Sequence, residues 1–176
     1  MTEVDGAAVA ELFETCRTAW RWEAQPTYTI EREQPTLALF LAAQAKPEDH
    51  NAAWRRKITA WAAEGKQIAR VRVLSHPLTD YQRYQLAWGI PGNIAAGEDV
   101  RVYDRDAHPD GVVPQQDFWL FDDNAVVVLN FSSDGRLLNR ALAADSELDQ
   151  YRTWHQVAVN ASIPLAEWDA RPRPTP

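Results

Sequence analysis

The hydrophobic positions of the first 65 residues follow the period of an α-helix in three segments, 5–17, 34–45 and 47–64. The first segment carries an apolar stripe made of Val9, Leu12, Phe13 and Cys16. Gly65 is placed to follow the third helix, because glycine tolerates the left-handed conformation that ends many helices. The pattern therefore predicts that residues 1–65 form a helical N-terminal portion.

Residues 18–30 depart from that period, because apolar and polar positions alternate there. Trp20 and Trp22 alternate with Arg21 and Glu23, which is typical of a strand or of an extended arm lying on the domain. Two interpretations stay open for the tryptophans. They either close the core of the N-terminal portion, or they cover a cleft as a lid with Arg21 as its anchor.

From residue 66 onward the pattern becomes that of an α/β unit. Residues 67–75 form a β-rich run, Thr79 is a plausible N-cap for a short helix, and residues 99–103 form a second short strand. Residues 89–92, Gly-Ile-Pro-Gly, are expected to end that helix. Two strands joined through a helix usually run parallel, so these two are predicted to do so.

Three further strands follow in quick succession, at 117–122, 125–131 and 137–143, separated by residues that favour turns. A closing helix begins near residue 145 and ends at Pro164. The sequence thus predicts a single α/β domain over residues 1–170, with a disordered proline-rich tail at 171–176.

Charge and cysteine content exclude several classes of function. The chain has 176 residues and a net charge of -7 at pH 7. An acidic protein repels phosphate backbones, so direct nucleic-acid binding is not expected. Cys16 is the only cysteine, which excludes an internal disulfide and favours a reducing compartment. Since neither a membrane span nor a signal sequence is recognisable, we expect a cytoplasmic protein.

The sequence predicts no cofactor and no metal site. Its four histidines do not pair with one another or with the cysteine at metal-ligand spacing. Glycine-rich phosphate-binding loops and the Gly-x-Ser-x-Gly motif of hydrolases are also absent from the sequence. No residue is therefore assigned a catalytic role from a complete motif.

Polar residues cluster where the strand 67–75 ends and the next helix begins: Ser75, His76, Asp80, Tyr81 and Arg83. In open α/β sheets ligands bind outside the carboxyl ends of strands, and a helix N-terminus favours anions. A small anionic ligand is therefore expected there, although an ordinary capped helix with solvated charges explains the same residues. Further candidate ligand contacts are Glu98, Asp117, Trp119, Trp20 and Arg21.

The stretch 67–168 resembles one half of the phospholipase-D-like fold, with a β-α-β start, a strand carrying His-x-Lys-x4-Asp, a hairpin and a closing helix. The segment 115–122, Gln-Gln-Asp-Phe-Trp-Leu-Phe-Asp, falls where that motif would be. Gln115 stands at the position of the nucleophilic histidine and Asp117 at that of the phosphate-binding lysine, while Asp122 matches. The resemblance implies the fold without phosphodiester chemistry, because an amide cannot form the phospho-enzyme and a carboxylate repels phosphate.

A second resemblance covers nearly the whole chain. The segments 20–23, 70–81, 96–101 and 117–122 are similar to those of an uncharacterised actinobacterial family. Members of that family are often encoded beside helix-turn-helix regulators. The resemblance therefore implies a ligand-sensing role or a regulatory partner.

The sequence supports three hypotheses about function. The first is a non-catalytic ligand-binding or regulatory module, a partner of a helix-turn-helix regulator or an accessory protein of a biosynthetic cluster. The second is an enzyme of undefined chemistry on a small molecule, with Asp117 or His76 as general base. The third is a structural subunit, because phospholipase-D-like halves pair about a two-fold axis and would give a homodimer.

Overall fold

The computed structural model describes residues 1–111 and 113–171. Within them one sheet is built from β1 (Thr2–Val4), β2 (Thr18–Glu23), β3 (Gln67–Leu74), β4 (Asp99–Asp104), β5 (Asp117–Phe121), β6 (Ala125–Phe131), β7 (Leu137–Leu142) and β8 (Ile163–Pro164). The strand order is β1-β7-β6-β5-β2-β3-β4-β8. The sheet is mixed, because β2, β3 and β4 run parallel and the other neighbours antiparallel. The predicted α/β class is confirmed.

The helices are α1 (Gly6–Thr15), α2 (Gln34–Leu41), α3 (Ala52–Ala63), α4 (Asp80–Tyr84), α5 (Ile90–Ala96), α6 (Leu148–Ala161) and α7 (Leu165–Asp169). None of the helices in the described residues combines the length and the apolar character needed to cross a bilayer. Most of the segment predicted as a proline-rich tail, residues 172–176, lies outside the described residues.

The predicted break at residues 89–92 is wrong. A π-helical segment, Gln85–Gly89, joins α4 to α5, so the helical path continues through it. Pro91 lies in the first turn of α5, directly after the π-helical segment. The predicted β-α-β unit survives this change, since β3 and β4 pair in parallel around the helices.

The N-terminal portion was predicted to be helical, but it also contributes two strands, β1 and β2, to the sheet. β2 pairs in parallel with β3 on one side and antiparallel with β5 on the other. Residues 18–23 are therefore a central strand rather than an arm. The three predicted strands after residue 115 form an antiparallel meander, as β5, β6 and β7.

The two faces of the sheet differ in chemistry. The back face, covered by α6, is apolar and contains Trp20, Trp22, Val71, Val73, Phe118, Leu120, Val126 and Val128. The front face, covered by α1 and α3, is apolar toward one end of the strands, where Ala19, Ile68, Phe121 and Val127 pack on Trp61. Farther along β2, β3 and β5, the front face becomes charged. The candidate functional site lies over this charged part of the front face.

The N-terminus of α4 is fixed by a capping box. Thr79 accepts a hydrogen bond from the backbone of Gln82, and the side chain of Gln82 accepts one from the backbone of Thr79. Thr79 also donates to the carbonyl of Pro26 at 2.7 Å, which ties the segment after β2 to the helix. The predicted N-cap is confirmed.

Thr79→Ala is expected to lower the free energy of unfolding by about 1–2 kcal/mol, because it removes the cap and the bond to Pro26. Urea denaturation monitored by circular dichroism measures the loss. Thr79→Ser retains the hydroxyl and is the matched control. An equal loss in both variants would contradict a role for the hydroxyl.

A candidate ligand-binding cleft over a charged floor

The charged part of the front face is produced by the alternation of three central strands. In the register of β2 with its neighbours, Arg21 lies opposite Arg70 of β3 and opposite Trp119 of β5. Glu23 lies opposite Arg72. Side chains two residues apart on a strand point to the same face, so these residues share the front face. With Glu98 and Asp117 they form the charged floor: Arg21, Glu23, Arg70, Arg72, Glu98 and Asp117.

Asp117 anchors one end of the charged floor and is completely buried. Its Oδ1 accepts hydrogen bonds from the backbone N–H groups of Ala24 and Gln25, at 2.8 and 3.2 Å. Its Oδ2 accepts from Arg21 Nη2 at 2.6 Å and from the Tyr28 hydroxyl at 2.5 Å. Since both oxygens already have two donors, this carboxylate is suited to holding Arg21 and Tyr28 rather than to taking a proton from a substrate.

Arg70 occupies the centre of the charged floor. Its Nε donates to Glu98 at 2.7 Å and its Nη1 donates to Glu23 at 3.2 Å. Arg72 lies beside them, donating to the backbone carbonyl of Glu23 and to the side chain of Gln85. Each arginine is therefore held between acceptors, which fixes the direction in which its remaining N–H groups point.

The arginines of the charged floor change the pKa of Glu23. Burial alone would raise its pKa, but Arg70, then Arg72 and Arg21, outweigh burial and lower the pKa to about 2. Glu23 is consequently ionised under all ordinary conditions. Some polar atoms in the described residues are nevertheless buried without a hydrogen-bond partner, including Arg21 Nε, Arg72 Nη2 and Glu98 Oε2.

Above the charged floor lies a half-open cleft of about 940 Å³. Its floor is formed by Arg21, Glu23 and Arg70, and its walls come from α1, α3, β6, β7, the segment 28–36 and the helices around the π-helical segment. Gln85 and Gly89 of that segment line the cleft. π-Helical turns occur frequently at functional sites, because the extra residue displaces side chains from the regular helical positions.

A second polar group lies on the wall of the cleft. The Tyr81 hydroxyl donates to Glu33 Oε2 at 2.6 Å, and both residues line the cleft. Burial raises the pKa of Glu33, and the hydrogen bond from Tyr81 opposes that rise only in part. Glu33 therefore holds a proton more readily than an exposed glutamate.

Five of the ten candidate contact residues lie in or under the cleft. Arg21, Tyr81 and Trp119 line it. Glu98 and Asp117 belong to the charged floor and hold Arg70 and Arg21 by hydrogen bonds, but they do not line the cleft themselves. The guanidinium of Arg21 lies over the ring of Trp119, 5.3 Å from the ring centroid.

The other five lie elsewhere: Ser75, His76, Asp80, Arg83 and Trp20 do not line this cleft. Asp80 and Arg83 are exposed and pair with each other, and His76 stacks on Trp168 and contacts Asp106. Trp20 and Trp22 are buried on the back face, which corrects the interpretation of these residues as a lid.

Sequence reasoning missed Tyr28, Glu33, Arg70 and Arg72 as site residues, and it named Glu23 only as part of the candidate segment 20–23. Arg-Trp-Glu at 21–23 and Arg-Val-Arg at 70–72 each place charges on one face of a strand whose other face is apolar. Alternation of that kind is ordinarily typical of a charged face in contact with water, so it gave no signal that these charges are buried. The register that brings the two segments side by side is not visible in the sequence.

In the residues that the structure describes, no group of three or more histidine, cysteine, aspartate or glutamate side chains is arranged to hold a metal ion. A comparison with curated proteins found no match. A domain of unknown function, DUF6879, matches residues 7–170. Since that match spans nearly the whole chain, the protein belongs to the DUF6879 family.

Proposed function

We propose that this chain is a non-catalytic ligand-binding module whose small-molecule ligand occupies the cleft above the charged floor. The observation that carries the proposal is the floor itself, three arginines and three carboxylates beneath an open cleft in the middle of a sheet. Burying an ion pair costs several kcal/mol per ion, and apolar side chains of similar size often give equal or greater stability. Charge at this position is therefore better explained by recognition than by folding.

The regulatory role rests on the resemblance to proteins encoded beside helix-turn-helix regulators. In this proposal a cytoplasmic ligand changes how the domain engages a regulator or an accessory protein of a biosynthetic cluster. A pull-down with a co-expressed neighbouring regulator tests the partner, and sedimentation tests the proposed homodimer. A phospholipase-D-like ancestry is part of the same proposal, with Gln115 and Asp117 at the former catalytic positions.

An enzyme is the second candidate, and the Glu33–Tyr81 pair favours it. A glutamate with a raised pKa beside a hydroxyl inside a cleft is suited to general acid–base chemistry. The earlier choices of base are less suitable, since Asp117 has four donors and His76 lies outside the cleft. Mass spectrometry of each bound ligand after incubation with the protein distinguishes an enzyme from a binding module. Recovery of every ligand unchanged would contradict the enzyme hypothesis.

The ligand-binding proposal is tested by blocking the cleft. Ala53 is an exposed residue of α3 that lines it, so Ala53→Trp should fill the entrance without altering the floor. In a calorimetric screen against a broad metabolite panel, a ligand at a hundredfold excess over its Kd should raise the Tm of the native chain by about 5–10 °C. Ala53→Trp should abolish that shift.

Ala60→Trp is the matched control, because Ala60 is exposed on the same helix but does not line the cleft. It should leave the ligand-induced shift unchanged. If no compound stabilises the native chain, or if both variants respond equally, the cleft is not a small-molecule site.

A further inference from the structure

The charged floor contains equal numbers of positive and negative side chains. Its three arginines face three carboxylates, so the floor contributes no net charge. The remaining charged residues that line the cleft are the cations Arg32, Lys57 and Arg140, against Asp49 and Glu33. Burial raises the pKa of Glu33.

The three rim cations lack direct ion pairs in the described residues, although Arg32 acts electrostatically on Glu33. In the described part of the chain, none of Arg32, Lys57 and Arg140 has a carboxylate within ion-pair distance. The chain as a whole carries a net charge of -7, so unpaired cations around one cleft run against its average. Because cations outnumber carboxylates among the residues that line this concave site, the local concentration of anions is raised there.

Aromatic side chains line the same cleft as these cations. Phe13 meets Trp54 and Trp119 edge to face, with ring centroids 6.2 and 4.9 Å apart. Trp54 lies one turn from Lys57 on α3, and Trp119 lies beneath the guanidinium of Arg21. Indole and phenyl faces bind flat apolar groups, whereas guanidinium and ammonium groups bind carboxylate or phosphate.

Taken together, charge and shape identify one class of ligand. We infer that the cleft binds a small organic anion that joins a carboxylate or phosphate to a flat apolar group. The anion lies against the rim cations and the flat group against the aromatic wall formed by Phe13, Trp54 and Trp119. This inference rests on the proposed ligand-binding function and specifies the chemistry that the cleft selects.

The test compares probes of equal shape and different charge by titration calorimetry. Naphthalene-2-carboxylate and 2-naphthyl phosphate should each bind at least tenfold more tightly than naphthalene-2-carboxamide, and comparison of the two anions shows which headgroup is preferred. Acetate and inorganic phosphate, which lack the flat group, should bind at least tenfold more weakly than their naphthyl counterparts. Lys57→Glu and Arg140→Glu should each weaken the anionic naphthyl probes at least tenfold.

Arg56→Glu is the charge-matched control, because Arg56 is exposed on α3 and does not line the cleft. It should change the affinity less than twofold. Equal binding of the carboxamide, absence of binding by both anions, or equal losses in Arg56→Glu and Lys57→Glu would each overturn the inference. If a compound of the metabolite panel still binds the native chain and fails to bind Ala53→Trp, the proposed ligand-binding function stands, but the preference for anions does not.

Discussion

Asp117→Ala is expected to lower the free energy of unfolding by about 3–5 kcal/mol, the largest loss that we expect from a single polar substitution in this protein. The variant leaves Arg21 as a buried cation without its counter-ion, and it removes the acceptor for two backbone N–H groups and for the Tyr28 hydroxyl. Leaving a buried donor without a partner costs about 1–3 kcal/mol, and that cost is included in the range given for the whole substitution. Urea denaturation monitored by tryptophan fluorescence measures the loss.

Two further variants separate the charge from the packing. Asp110→Ala removes an exposed loop carboxylate and should change stability by less than about 0.5 kcal/mol. Combining Asp117→Ala with Arg21→Met removes both members of the pair and should recover part of the loss, because no uncompensated charge remains. A loss below about 1 kcal/mol for Asp117→Ala alone would show that Asp117 does not anchor the floor.

Acidification is expected to remove about 3 kcal/mol of stability through Glu23 alone. Its pKa is about 2 in the folded protein against 4.5 for an unperturbed glutamate, and one pKa unit corresponds to about 1.4 kcal/mol. A carboxylate with a depressed pKa stabilises the fold fully above its unfolded pKa. The contribution is therefore present at pH 6 and is lost as the pH falls from 4.5 toward 2.

Glu23→Gln isolates this contribution from that of the other acidic groups. The difference in unfolding free energy between the native chain and Glu23→Gln should fall from about 3 kcal/mol at pH 6 to about 1.5 kcal/mol at pH 3. Glu11→Gln, at an exposed position of α1, should differ from the native chain by less than about 0.5 kcal/mol throughout. A difference for Glu23→Gln that does not vary with pH would contradict the linkage.

In the proposed function, these two residues also prepare the cleft for its ligand. Asp117 accepts a hydrogen bond from Arg21, and Glu23 accepts one from Arg70. Each carboxylate thereby fixes the direction of its arginine. An arginine that is already oriented loses less conformational freedom when it binds an anion. Stability and recognition are therefore coupled through the same ion pairs.

Much of the local structure was determined by the sequence. The alternation of Trp20, Arg21, Trp22 and Glu23 predicts a strand, and the structure contains it as β2. Thr79 predicts the start of α4, and Gly65, with φ of 77°, follows α3 as expected. Signals of this kind are readable because they depend on neighbours within one or two turns of chain.

The site depended on contacts that no local pattern encodes. Arg21 and Asp117 are separated by 96 residues, and they meet only because β2 lies between β3 and β5. Of the polar cluster around Ser75 and His76 only Tyr81 lines the cleft, and the other members lie outside it for the same reason. The sequence by itself determined most of the strands and helices, although not β1, β8, α7 or the π-helical segment, and it determined which face of β2 and β3 is polar. Only the tertiary structure decided which polar faces meet, because strand order and register are fixed by packing between distant segments.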